Sequence, residues 1–303
     1  MNNGIQLHHI HKDFGKVHAL TDVSLDIHPG ELFGLIGPDG AGKTTLFRIL
    51  TTLVVADQGS ASVCGLDVVK DLRQIRCRVG YMPGRFSLYQ DLTVEENLNF
   101  FATVFHTTVE ENDALIRDIY QQIEPFKHRR AGKLSGGMRQ KLALCCALIH
   151  RPNVLFLDEP TTGVDPVSRS EFWDMLERLK AQGITILVST PYMDEASRCD
   201  RIALMREGQV LTVNTPQRIT QGFHHPLLAV KTDKAEQMYP LLNDLRSYPQ
   251  TLMCFSYGDA HHLTLKGTTT NTEAIKEFLV QKGYAHISIQ PIEPSIEDCF
   301  MLL

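Results

Sequence analysis

Three short runs of the chain, Leu32 to Ile36, Val154 to Leu157 and Ile184 to Val188, are apolar without the alternation of a half-exposed strand, and they end in Gly, Asp or Ser-Thr. That pattern predicts parallel strands buried on both faces, the centre of an α/β sheet. Behind the first run, Leu46, Ile49, Leu50 and Leu53 recur at i, i+3, i+4 and i+7, the stripe of an amphipathic helix. The local order is strand, glycine loop, helix. A second stripe, Phe172, Met175, Leu176 and Leu179, predicts a helix from about Ser168 to a stop at Gly183. From about Tyr81 to His150 the periodicity is mainly helical, an inserted helical subdomain. One of its helices opens at Asp91-Leu-Thr-Val-Glu-Glu-Asn and another at Leu134-Ser-Gly-Gly.

The character changes after about Gly222. Leu227 to Lys231 reads as a strand, Lys234 to Ser247 as a helix interrupted by Pro240, and Thr251 to Lys266 as two strands turned at Gly258-Asp259. Asn271 to Gly283 reads as a helix with Ile275, Phe278 and Leu279 inward, and His286 to Ile292 as a last strand. The order βαββαβ predicts a small ferredoxin-like α+β domain; the alternative is an irregular extension folded onto the main domain. The expected boundaries are 5–222 for the large domain and 225–303 for the small one.

Composition agrees with two folded domains. The chain has 303 residues, 43% of them apolar and 21% charged, which excludes wholesale disorder. Its longest uncharged apolar stretch, around Leu142 to Ile149, falls well short of the roughly 20 residues that span a bilayer. The start, Met-Asn-Asn-Gly-Ile-Gln, has neither a basic segment nor an apolar signal core, so a cytoplasmic protein is expected. Seven cysteines, none in a C-x-x-C arrangement, read as reduced thiols, with Cys145-Cys146 buried in a helix. A net charge of -5 disfavours a general nucleic-acid binder. His8, His9 and His11, with the pairs His224-His225 and His261-His262, match no structural zinc spacing and read as surface or packed side chains. Asp194, Glu195 and Asp200 with Arg198 and Arg201 read as a solvated, ion-paired helix face.

The glycine loop carries the chemistry. Gly37, Pro38, Asp39, Gly40, Ala41, Gly42, Lys43, Thr44 and Thr45 match G-x-x-x-x-G-K-[ST] between a buried strand and an amphipathic helix. Glycines let successive N–H groups face phosphate oxygens, and the helix beginning near Gly42 adds its positive end. Lys43 supplies a cation for the phosphates and the Thr44 hydroxyl can ligate Mg²⁺. Asp39 places a carboxylate in the same loop and is expected to face solvent or the backbone. The run Val154 to Leu157 ends in Asp158 and Glu159. There Asp158 would hold the Mg²⁺ hydration shell, and Glu159 would orient the water that attacks the γ-phosphate or accept its proton.

About 90 residues after Lys43 stands Leu134, Ser135, Gly136, Gly137, Met138, Arg139 and Gln140, which resembles the signature of the ABC ATPases. Thr161-Thr-Gly-Val-Asp165-Pro resembles the D-loop of that family, and the resemblance runs from about Ile5 to Thr220. It implies a P-loop (RecA-like) α/β core with antiparallel β and helical subdomains. It also implies that the Ser135 turn of one cassette contacts the γ-phosphate held by another, with ATP joining two chains as a homodimer or heterodimer. Phe14, in Lys12-Asp-Phe-Gly-Lys, matches the aromatic that stacks on adenine in the family, a contact worth about 1–3 kcal/mol by analogy with base stacking; a core aromatic is the alternative for that position. Tyr81-Met-Pro, the segment Phe86 to Asn97 and Pro294-Ser-Ile-Glu-Asp most resemble the ATPase subunits of type 2 ABC exporters, which dock on a separate membrane permease. That resemblance implies a peripheral protein on the inner face of the membrane, with Phe86, Leu88 and Tyr89 as candidate permease contacts.

Two family positions are filled differently. The glutamine expected after Tyr-Met-Pro is Gly84, and the switch histidine expected after Ser-Thr is Pro191. Glycine has no side chain to ligate anything, and proline offers neither a side-chain donor nor an N–H. Losing one preorganised donor to a reacting anion costs about 10²- to 10³-fold in rate, so hydrolysis is expected to be slowed more than nucleotide binding. Three readings stay open: a slow ATPase that powers export, a nucleotide-gated cassette paired with a more active one, and, weaker, an ABC protein acting on ribosomes or DNA. The small C-terminal domain carries no catalytic constellation, and family analogy makes it regulatory or a dimer support.

Overall fold

The computed structural model describes residues 4–84 and 88–303. It divides into two compact units, Met1–Pro216 and Gln217–Leu303. In the first, a hairpin of β1 (Ile5–Phe14) and β2 (Val17–Ile27) precedes β3 (Leu32–Ile36), the glycine loop and α1 (Lys43–Leu50). The chain continues through β4 (Gln58–Val63), β5 (Leu66–Asp67), α2 (Leu72–Arg76) and β6 (Val79–Met82). The helical segment holds α3 (Val94–Val104), α4 (Asp113–Tyr120) and α5 (Gly136–Leu148). Then come β7 (Val154–Asp158), α6 (Pro166–Ala181), β8 (Thr185–Thr190), β9 (Arg201–Arg206) and β10 (Gln209–Asn214), before α7 (Pro216–Gln221) crosses the boundary between the units.

The central sheet has the order β10-β9-β3-β8-β7-β6, and an antiparallel sheet has the order β2-β1-β4-β5. All three apolar runs of the sequence lie in the central sheet, where β3, β7 and β8 are buried at every position. Their neighbours β6 and β9 are parallel to them, and only β10 runs antiparallel. Burial on both faces explains why these runs do not alternate. The registers Ile36↔Thr190, Asp158↔Ser189 and Met82↔Leu157 bring four strand ends to one edge of the sheet. Below that edge Phe47 of α1 meets Phe156 of β7 edge-on, ring centroids 5.9 Å apart.

Caps define the helices that matter for the site. Thr93 and Glu96 form a capping box at α3, while Ser135 caps α5 and Asp165 caps α6 ahead of Pro166. The stripe behind the glycine loop is shorter than its periodicity predicts: α1 stops at Leu50 and Leu53 is exposed. Thr52 takes a left-handed backbone, φ 64°, and Arg48 O receives the amides of both Leu53 and Val54, so the chain turns away before Leu53 can pack.

The second unit contains β11 (Leu227–Thr232), α8 (Met238–Ser247), β12 (Thr251–Tyr257), β13 (Ala260–Leu265), α9 (Thr272–Gln281), β14 (Ile287–Pro291) and α10 (Ile296–Leu302). Its antiparallel sheet has the order β12-β13-β11-β14, the ferredoxin-like arrangement that βαββαβ predicts. Pro240 does not interrupt a helix, because it is the third residue of α8, in the first turn, where an N–H has no intrahelical partner to lose. His261 donates from Nε2 to Met238 O at 2.8 Å, and His262 Nδ1 lies 2.6 Å from Asp298 Oδ1. Both are packed side chains. Cys145, Cys146, Cys199, Cys254 and Cys299 are buried, Cys64 is half-buried, and Cys77 is exposed at the end of α2. Burial pushes the Cys254 thiol up to about 12 and that of Cys299 to about 11.

Candidate functional site

The glycine loop leaves β3 at the edge where the strand ends gather. Gly37 is there because nothing larger fits: a Cβ would lie 2.2 Å from Met205 O and 3.2 Å from the Ala41 Cβ. Gly42, at φ 98°, presses just as closely on Ala19 O, where a Cβ would stand at 2.5 Å. Gly40, at φ 81°, and Pro38 and Asp39 are exposed, so the Asp39 carboxylate faces solvent as expected. The first amides of α1, from Lys43, Thr44 and Thr45, have no intrahelical partners and form an anion-seeking end. Gly37→Ala is expected to destabilise the first unit by about 1–3 kcal/mol, the usual cost of forced overpacking, because the obstacle is a backbone carbonyl. Urea titration against the parent checks this; equal stability would mean that β9 yields freely.

Lys43 is buried, and its ammonium meets three oxygens. It donates to Gly37 O at 2.7 Å and Pro38 O at 3.0 Å, and lies 3.4 Å from Glu159 Oε1. Asp158 is also buried; its Oδ1 accepts from Ser189 Oγ at 2.7 Å and from Thr44 Oγ1 at 3.2 Å. Glu159 stands just past the strand in a left-handed backbone, φ 51°. Its amide donates to both Ser189 O (3.1 Å) and Ser189 Oγ (3.0 Å), which fixes that uncommon conformation. Its side chain remains about one quarter exposed, which leaves the carboxylate open to water. Tyr81 lies behind, its phenol pushed up to about 12 by burial and then by the Asp158 charge.

Thr44 and Asp158 present a hydroxyl and a carboxylate, hard oxygens that suit Mg²⁺ with phosphate and water as the remaining ligands. Among the described residues no cluster of three His, Cys, Asp or Glu side chains is arranged to hold a metal ion by itself. That sparse donor set fits a metal that arrives with a nucleotide.

The signature residues open α5. Ser135 is exposed, and its Oγ accepts from the Met138 amide at 3.3 Å, which leaves the hydroxyl proton free to donate. Leu134 is buried beneath it, and Gly136 lies so near the D-loop that a Cβ would be 3.3 Å from Gly163 O. Gly137 packs on α6, where a Cβ would stand 2.7 Å from Ser168 Oγ. Asp165 accepts from the Ser168 amide at 3.0 Å, and that bond holds its carboxyl below the usual carboxylate range. Phe14, at the end of β1, is 47% exposed with Lys12 Nζ 5.4 Å from its ring centre, so it is not a core aromatic.

Gly84 and Pro191 flank the carboxylates. A Cβ on Gly84 would lie 3.0 Å from Asp158 O and 3.8 Å from the Glu159 Cβ. Pro191 directly follows the end of β8. Of the candidate permease contacts, Phe86 lies outside the described residues and Leu88 is half-buried, lining a cleft with Gly84, Gly136 and Val164. Tyr89 is 50% exposed and meets Phe100 edge-on at 4.6 Å.

The acidic and basic residues after Pro191 are ion-paired as expected, but they do not form a helix face and only some of them are solvated. They occupy a 3-10 turn, Met193–Arg198, the two residues after it and the start of β9; Asp194 is exposed and Arg198 pairs with the exposed Asp174 at 2.6 Å and Glu177 at 2.9 Å, while Glu195 and Arg201 reach inward. Glu195 is buried and accepts from Thr161, Thr190 and Arg169, Asp200 accepts from the Leu32 amide, and Arg201 donates to the buried Glu31. A buried carboxylate persists only with such partners. Ser189 and Glu195 are the site residues that periodicity does not single out. The available signal is a pair of hydroxyls ending an apolar strand with a carboxylate six residues after the first.

Residues 20–162 match a family model described as ABC transporter. A probable multidrug ABC transporter ATP-binding protein of Escherichia coli K12, YbhF, is 40% identical over 285 residues, 93% of this chain and 48% of that protein. The chain thus spans about half the length of that relative. The Nod factor export ATP-binding protein I of Burkholderia lata is 39% identical over 221 residues, 72% of this chain and 73% of its own. Among solved structures, the dimeric post-hydrolysis state of the cassette MJ0796 bound to ADP and Pi superposes with a TM-score of 0.63 at 25% identity, covering 70% of this chain and 98% of that one. With its glycine loop, signature turn and paired carboxylates on one α/β framework, this chain belongs to the ABC transporter family of ATP-binding proteins.

Proposed function

We propose that the chain is the ATP-hydrolysing subunit of an ABC export system of the type 2 class, working as a cassette dimer against a separate membrane permease. The observation that carries the reading is the meeting of Lys43, Thr44, Asp158 and Glu159 at one strand edge. Phe14 offers an exposed face for adenine, the α1 amides and Lys43 receive the phosphates, and Ser135 donates across the dimer to the terminal phosphate of the other copy. Thr44 and Asp158 would hold Mg²⁺, which when bound supplies charge neutralisation at the phosphates. Glu159 orients the attacking water and accepts its proton. The Nod factor export ATP-binding protein among its relatives supports the direction of transport.

Residues 5–222 act as the ATPase domain, with 81–150 as its helical subdomain, and 225–303 as an accessory domain. A shallow groove of about 430 Å³ along α3, lined by Leu92, Phe100 and Val104 among others, adjoins the exposed Tyr89 and is the proposed seat of the permease. That docking places the chain at the inner membrane face. No helix among the described residues is long and apolar enough to cross a membrane. The test is phosphate release from MgATP by the purified chain: activity abolished by EDTA is expected, and inactivity at all ATP concentrations would remove the hydrolytic reading.

Gly84 and Pro191 favour a second reading, a cassette that gates on nucleotide while a better-equipped partner turns over. Turnover of the isolated homodimer separates the two, since strong activity without a partner excludes the second, and Pro191→His measures what the missing donor costs. If the missing switch donor limits turnover, the variant raises kcat about tenfold or more and leaves ATP affinity within a few-fold. Adding Gly84→Gln is expected to give no further gain, because its Cβ presses on Asp158 O. Unchanged kcat in the single variant would mean that other groups have rebuilt the switch contact.

A further inference from the structure

The buried Glu195 is a knot that the proposed hydrolysis does not use. Its Oε1 accepts from Thr161 Oγ1 at 2.8 Å and from Arg169 Nε at 3.0 Å, and its Oε2 accepts from Thr190 Oγ1 at 2.6 Å. Only 4% of the residue is exposed, so these bonds operate away from bulk water. Each partner comes from a different element: Thr161 from the turn after β7, Thr190 from the end of β8, and Arg169 from the first turns of α6. The Arg169 guanidinium also lies 4.3 Å from the Tyr192 ring centre and pairs with Asp194 at 3.1 Å, so the segment after Pro191 is tied to the same side chain.

Thr161 is two residues beyond Glu159. The turn between them is closed by the Thr162 amide, which donates to Glu159 O at 3.3 Å, and by the Val164 amide, which donates to Thr161 O at 3.2 Å. Glu159 is therefore fastened at both ends. Ser189 holds its amide on the strand side, and Glu195 holds the turn that follows it. Adjacent hydroxyls of β8 divide the task, with Ser189 on Asp158 and Thr190 on Glu195. Pro191, next in line, contributes no donor, so the alignment of the base depends on these two hydroxyls and the carboxylate between the turns.

We propose that Glu195 is a positioning residue for Glu159: through Thr161 and Thr190 it locks the turn that carries the base to the switch strand, and through Arg169 it ties the D-loop to the same frame. The inference rests on the hydrolytic reading above. A misplacement of about 1 Å at a reacting group can cost about 10²-fold in rate, whereas binding through the glycine loop does not involve this knot.

The test compares Thr161→Val, Thr161→Ser and Glu195→Gln in the full chain, reading kcat, the Kd for MgATP, and thermal unfolding together. Thr161→Val is nearly isosteric and lacks only the hydroxyl, so it is expected to lower kcat about tenfold or more while Kd stays within twofold. Thr161→Ser, which restores the hydroxyl, is expected to restore kcat. Glu195→Gln is expected to lose about tenfold to a hundredfold in kcat, and Thr161→Val carries the decision if that variant does not fold. Wild-type kcat in a folded Thr161→Val, or equal losses in the valine and serine variants, would overturn the proposal and leave the ATPase reading standing. A parent chain that releases no phosphate would overturn both.

Discussion

Glu159→Gln is expected to lower phosphate release at least about 10²-fold while MgATP still binds. The geometry sets the direction. Glu159 is the partly exposed carboxylate at the strand edge, and glutamine keeps its shape but cannot take up a proton. The amide contacts that hold the backbone, to Ser189 O and Oγ, do not depend on the side chain, so the fold is preserved. Loss of charge beside Lys43, now 3.4 Å from Oε1, also frees that ammonium for phosphate. The variant should therefore accumulate as an ATP-bound dimer, visible by light scattering in the presence of ATP and absent with ADP. Undiminished release would assign the base to another group.

Lys43→Met has the second large effect, and it falls on binding. Methionine fills the buried stem but removes the donor that Gly37 O, Pro38 O and Glu159 share. Truncating one member of a buried, hydrogen-bonded charge pair costs about 2–5 kcal/mol, so MgATP affinity is expected to fall about hundredfold or more. Calorimetric titration gives that number directly. Kd within tenfold of the parent would mean that the α1 amides alone hold the phosphates.

The parts of this molecule that were legible in its sequence are those whose cause is local. Buried strands reveal themselves by unbroken apolar runs, the loop at Gly37 by glycines that a helix follows, and the cap Ser135 by a polar residue at a helix start. Leu53 fails because one left-handed residue, Thr52, ends a periodicity that continues on paper. Pro240 fails because the helix begins later than its stripe, which turns a breaker into a first-turn residue. Glu195 fails for a different reason. Its partners Thr161 and Arg169 are 34 and 26 residues away in sequence, and a carboxylate among neighbouring charges looks solvated until the fold closes over it. Gly84 can be read as a missing side chain, but its 3.0 Å clearance against Asp158 O belongs to tertiary structure alone.

The uneven burial of the thiols has a practical consequence. With five sulfurs sealed in the interior and Cys64 half-covered, a maleimide fluorophore applied briefly to the native chain has one open target, Cys77. Dye stoichiometry near one per chain would give an optical reporter on the nucleotide-binding unit without engineering a single codon.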